Sequence, residues 1–212
     1  MKSLIIFTIL IILVSCNTRS PNSLTKKAIT SKPKLFVFVA EKNFVSEVKQ
    51  KDEEVLFDKE YTANYKVIKN IYGQLDSENI TFTVFDHYGV PPFSHYKTVL
   101  LYVCLIEGKY YHEKYLYNQV YETINGKWAG EYAFKDYKHE YNKDTKIKPV
   151  QISFLKPIKI NLSGYDEEII ERVYPKPYYD IKGNEAIVIY GNYAEELFKL
   201  KKGGVLKARG YF

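Results

Sequence analysis

The chain has 212 residues, 46% of them hydrophobic, with 21 Tyr and 12 Phe. That length suits one ordinary domain, and that composition supports a packed core rather than disorder. The formal charge of +6 does not mark a nucleic-acid binder. Six of the 31 Lys and Arg (Lys2, Arg19, Lys26, Lys27, Lys32 and Lys34) fall in residues 1–34, which hold no acid, leaving 25 basic against 25 acidic residues over 35–212. Nucleic-acid binding needs basic charge gathered on a folded face, so no such partner is expected.

The N-terminus opens with Lys2 and an apolar stretch from Leu4 to Val14. A positive start followed by a short apolar run is the pattern of an export signal. Crossing a bilayer takes ~20 apolar residues, so a membrane-spanning anchor is the weaker alternative. The stretch closes on Leu13-Val14-Ser15-Cys16. This resembles the lipobox of bacterial lipoproteins: an aliphatic residue, a tolerant position, a small residue and a cysteine. The resemblance covers only the first 16 residues. It implies that the signal, 1–15, is cut before Cys16 and that the Cys16 thiol carries a diacylglycerol. Residues 16–34 then read as a lipidated cysteine and a flexible basic tether. Its 18 residues after Cys16 reach roughly 25 Å as a random chain. Its five positive charges either favour anionic lipid, at ~1 kcal/mol each near the surface, or are simply solvated.

The remaining residues, 35–212, read as one β-rich domain, with 150–212 a candidate C-terminal extension. Leu35–Ala40 is a buried strand. Over 57–69, Phe57, Tyr61, Ala63, Tyr65 and Val67 alternate with polar residues, which predicts a half-buried strand. Gly73 punctuates it. Ile80, Phe82 and Val84 alternate with Thr81 and Thr83 in a third strand. Thr98–Ile106 is apolar on both faces and reads as central. Glu107-Gly108 is a turn into the tyrosine-rich segment 109–123, and Asn125-Gly126 predicts a type I′ hairpin turn, with 127–134 returning. Residues 136–149 are charged and read as a loop, 150–162 as one more strand, and 186–190 as a short strand. Asn192 is placed to cap a helix reaching about Lys202, with Glu195 completing a capping box and Gly203-Gly204 ending it. Leu197, Phe198 and Leu200 supply its apolar face.

Five or so antiparallel strands ahead of a C-terminal helix predict a mainly β fold: an OB-like barrel or a curved sheet. The pattern over Phe36–Val103 resembles the netrin/tissue-inhibitor type of OB-fold module. It has an early apolar strand, an aromatic strand at Tyr61–Lys69, a glycine at 73 and a late leucine-leucine-tyrosine strand at 100–102. The protease-inhibiting members use a free N-terminal cysteine and several disulfides. This chain has neither, so the resemblance implies the fold and not that activity. The whole also resembles lipoproteins of Gram-negative bacteria that have no assigned chemistry.

Candidate chemistry centres on Asp86, His87 and His95 in a loop between strands. By residue type they could ligate a metal, but their spacing fits no standard zinc pattern. The competing reading is a turn, with Asp86 and His87 bonded to backbone and Pro91-Pro92 stiffening it. No metal or other cofactor is expected. Cys104 lies in an apolar run and reads as a buried hydrophobe. Ser94 lacks the Gly-x-Ser-x-Gly elbow of a hydrolase nucleophile. His112 and Glu113 should point to opposite faces of a strand. Tyr111, Tyr115 and Tyr117, with Tyr121, should share one face of a regular strand, either as a binding patch or as packed core. These features lead to the expectation of a lipid-anchored binding or structural module of the cell envelope. Its partner would be an envelope protein or glycan, its membrane contact the N-terminal lipid, and its candidate binding residues Asp86, His87, His95, Tyr111, Tyr115 and Tyr117. The alternative is a lipid-anchored hydrolase of envelope polymers.

Overall fold

The computed structural model describes residues 33–49 and 57–212. The export signal, Cys16 and the tether up to Lys32 lie outside the described residues. Residues 33–212 form one compact unit. No helix among the described residues is long and apolar enough to cross a membrane.

The fold is mainly β, built on a closed five-stranded barrel with a helix at its C-terminal end. Its strands are β1 (Lys34–Glu47), β2 (Lys59–Tyr72), β3 (Asn79–Asp86), β4 (Thr98–Ile106) and β5 (Lys109–Gln119), in the closed order β1-β2-β3-β5-β4. That is the order of an OB-like barrel. Four seams are antiparallel, and the fifth, between β3 and β5, is parallel with a single registered pair, Thr83 and Tyr111.

The residue patterns explain which strands go where. In β2 and β3 every second residue is buried: Tyr61, Ala63 and Tyr65, then Ile80, Phe82 and Val84. These line the barrel interior with Phe36, Phe38, Val99, Leu101 and Val103. Phe57 keeps the parity of that set but precedes the strand, and it is 90% exposed rather than inward. β1 and β4 are apolar on both faces because both faces are covered. Leu35, Val37, Val39, Leu100 and Tyr102 point out of the barrel and pack against Leu197, Phe198 and Leu206. Those three residues lie on α3 (Ala194–Gly203) and α4 (Val205–Ala208). Within the stretch 150–212 it is thus the two C-terminal helices that cover the outside of the barrel.

Between barrel and helix the chain builds two small sheets that alternation does not announce. One has the order β6 (Tyr121–Glu122), β7 (Trp128–Glu131), β12 (Tyr190–Tyr193), β8 (Val150–Gln151); the other has the order β10 (Tyr179–Lys182), β11 (Glu185–Val188), β9 (Lys159–Asn161). The single strand expected over 150–162 is thus two, in different sheets. Gly130 and Gly191 meet where β7 and β12 cross: a Cβ on Gly191 would stand 2.0 Å from the Gly130 carbonyl oxygen.

Turn chemistry also departs from expectation. Glu107 (φ 48°) and Gly108 (φ 80°) both take positive φ, so the type I′ turn is there. At 125–126 only Gly126 does, giving a three-residue loop in which the Gly126 amide donates to the Thr123 carbonyl. Residues 136–149 are not an unstructured loop. They include the second half of α1 (Phe134–Tyr137) and a 3-10 turn at Glu140–Asn142, with Asp136 and Asn142 buried. The α3 cap sits one residue later than expected: Tyr193 is the N-cap, and its amide donates to Glu196 rather than Glu195.

Candidate functional site

β5 is not a regular strand. Val103 pairs with His112 and Leu101 with Tyr117, so four residues, Glu113–Leu116, face Tyr102 alone. The buried His112 ring holds this bulge together: its Nε2–H donates to the Leu116 carbonyl at 2.9 Å. Leu116 turns into the core beneath the C-terminal helices. From outside, Arg209 donates to the Lys114 carbonyl and pairs with Glu113, which also accepts from the Tyr211 hydroxyl. Tyr115 is left at φ 65°, a conformation that side chains with a Cβ adopt at a cost of order 1 kcal/mol or more.

The bulge separates the tyrosines expected to share a face. Tyr111 points outward and stacks on Phe85, ring centroids 6.4 Å apart. Tyr117 points inward against Phe93 and Tyr96. Tyr115 is lifted into solvent beside Tyr88, at 6.1 Å. Tyr121 lies beyond β5, its ring edge-on to Phe154.

The displaced Tyr115 meets the end of β3. His87 Nδ1–H donates to the Phe57 carbonyl at 2.6 Å, and Lys114 Nζ binds Asp58 Oδ2 at 2.7 Å. The Lys114–Asp58 hydrogen bond is the largest influence on the Lys114 amine and raises its pKa. The result is an aromatic face of Phe57, Phe85, Tyr88, Tyr111 and Tyr115 around a polar group of Asp58, His87 and Lys114. Tyr88 is 85% exposed. A cluster of exposed aromatics on a folded surface marks an interaction site.

Of the residues expected to act together, His87, Tyr111 and Tyr115 do meet on this face. Asp86 lies beneath it: its buried carboxylate accepts from the Tyr88 amide at 2.9 Å and shapes the turn that presents His87 and Tyr88. His95 does not join them. It ends a 3-10 turn, Pro92–His95, whose Phe93 plugs the barrel and whose Ser94 is buried. Among the described residues no three of His, Cys, Asp and Glu gather as metal ligands, so Asp86, His87 and His95 do not form such a set. His112 points into the barrel and Glu113 out of it. Burial pushes the Cys104 thiol up, which disfavours the thiolate a nucleophile needs.

A second feature was invisible in the sequence. A cleft of about 230 Å³ opens where β4 begins and β5 ends, walled by Trp128, Tyr121, Leu155 and Ile158, with Thr98, Gln119, Glu122 and Lys156 among its polar residues. Four separated segments build it, joined by backbone bonds such as the Leu155 amide to the Glu122 carbonyl. The lone tryptophan of the chain was the one available signal.

Both features sit at the same end of the barrel. The chain enters β1 at Lys34, level with Leu105 at the end of β4. The aromatic face and the cleft flank the other end, where β1 finishes, β2 starts, β3 finishes and β4 starts. Comparison with family models, with curated proteins and with solved structures gives no match, and the functional reading rests on these surfaces.

Proposed function

We propose that this chain is a lipid-anchored binding module of the bacterial cell envelope, exported by residues 1–15 and acylated at Cys16, that holds a protein partner on the Tyr88–Tyr115 face. One observation carries the reading. Tyr115 keeps a backbone conformation unfavourable for a residue with a Cβ, and the bulge that enforces it is clamped from both sides. The product of that strain is an exposed aromatic residue beside Tyr88. Strain of this kind persists where function uses it, and bulges serve to re-aim side chains. Tyrosines beside charged groups also have the make-up of interface hot spots.

Substitutions on the face and at the anchor test this. Tyr115→Gly removes the ring and suits positive φ, so the melting temperature should stay level or rise slightly. Partner capture by crosslinking in the native cell should fall at least about tenfold, as for loss of a hot-spot aromatic. Unchanged capture with Tyr115→Gly and Tyr88→Ser combined overturns the assigned face. Cys16→Ala should move the protein from the membrane to the soluble fraction. Mass spectrometry that finds the wild-type Cys16 unmodified, or Met1 retained, overturns the anchor. Turnover of an envelope polymer by the purified protein, abolished by Asp86→Ala or His87→Ala, would favour the hydrolase alternative instead.

A further inference from the structure

We infer that the Trp128 cleft is a second binding site, and that it takes a single sugar ring bearing an acidic group. The size sets the first limit. Pockets for drug-sized molecules run to about 300–1,000 Å³, and this one, at about 230 Å³, has room for one ring rather than an extended ligand.

The lining chemistry sets the second. Trp128 and Leu155 give an apolar wall, and Leu155 is 58% exposed. Yet the side chains of Thr98, Gln119, Glu122 and Lys156 make no hydrogen bond to the protein among the described residues, although neighbouring backbone groups are bonded. A hydrocarbon chain or a phenyl ring would fill the wall and leave those groups without partners, which costs free energy wherever the ligand shields them from water. A pyranose meets both demands: its C–H faces are apolar and its rim of hydroxyls donates and accepts.

Charge sets the third. Two lysines line the cleft, and Lys97 already pairs with Glu41 at 3.3 Å. Lys156 has no ion pair among the described residues and is the cation free for a ligand carboxylate. Glu122 is left to accept from ring hydroxyls.

The chain carries a single tryptophan and it lines this cleft, so its fluorescence reports on a ligand bound there. The full chain is titrated with sodium glucuronate, glucose and sodium hexanoate while Trp128 emission is followed. Glucuronate should give a saturable change, glucose should bind about tenfold more weakly for want of one charge-assisted hydrogen bond, and hexanoate should give none. Lys156→Gln, at an exposed position, should bring glucuronate down to the level of glucose. Tyr115→Gly should leave the titration untouched, which separates this site from the aromatic face. Saturation by hexanoate but not by sugars would assign the cleft to an acyl chain and overturn the inference. So would silence toward all three probes, or unchanged glucuronate binding in Lys156→Gln.

Discussion

Asp136→Ala should cost about 3–5 kcal/mol of stability, read as a lower urea midpoint at constant slope. Asp136 lies on α1 and Lys201 on α3, and Lys201 Nζ sits 2.8 and 2.9 Å from the two carboxylate oxygens. The side chains are only 12% and 11% exposed, so removing the carboxylate strands an ammonium that water hardly reaches. The pair is not an ordinary surface bridge, for which about 0–1 kcal/mol would be expected. Asn142 works beside it, its side-chain amide donating to the Asp136 and Leu200 carbonyls, the latter in the last turn of α3. The loss should travel through α3 to the outer faces of β1 and β4. The double variant Asp136→Leu with Lys201→Met should recover much of the loss, because no charge is then left buried. A single-variant loss under about 1 kcal/mol, or a double variant no better than the single, would show that the pair does not hold α1 to α3.

Asp136 also illustrates what a linear reading can see. In sequence it sits among Lys135, Lys138 and His139 and looks like one more solvated charge. Only the fold brings Lys201, 65 positions away, against it. The first four barrel strands were legible because each is eight residues or longer, enough for alternation in β2 and β3 to stand out and for the doubly apolar β1 and β4 to look central. β6 through β12 have two to four residues each, too few for a period to be counted; only the stretches around β7 and β11 read as separate strands, and the pairing depends on partners as distant as Ala129 and Tyr193, 64 positions apart. The candidate site was half legible. His87 stood out on an expected loop and Tyr115 among the tyrosines of an expected strand. The bulge that joins them was hidden, because strand parity assumes no extra residues and the clamp on it comes from Arg209 and Tyr211 at the other end of the chain. Phe57 was missed for a related reason: alternation puts it on the inward face, and it becomes surface only once the start of β2 at Lys59 is fixed.

Acid should loosen that same bulge before it unfolds the rest. Burial pushes the His112 imidazole down to about 4, with the Arg209 charge acting in the same direction and the Leu116 hydrogen bond opposing. The unfolded chain binds this proton near 6.5. Between those values the unfolded state therefore holds more protons than the native one, so stability falls as pH drops. The contribution is fully present above about pH 7, and roughly 2 kcal/mol of it is lost between pH 8 and pH 5. Below pH 4 the loss levels off at about 3 kcal/mol. Protonated His112 would be a cation among Phe82 and Phe93, whose rings lie 6.3 and 4.6 Å away, with Leu116 as its hydrogen-bond acceptor. Expelling it undoes the bond that closes residues 113–116 into a bulge, and Tyr115 loses its fixed place beside Tyr88. Urea melts at pH 8, 6.5 and 5 should show the loss, and His112→Leu should flatten it. At pH 8 that variant should be about 1 kcal/mol less stable, for want of the Leu116 hydrogen bond. Partner capture should weaken over the same range in the wild type and far less in Tyr115→Gly, which has already lost the ring. Equal pH dependence in wild type and His112→Leu would place the acid sensitivity elsewhere.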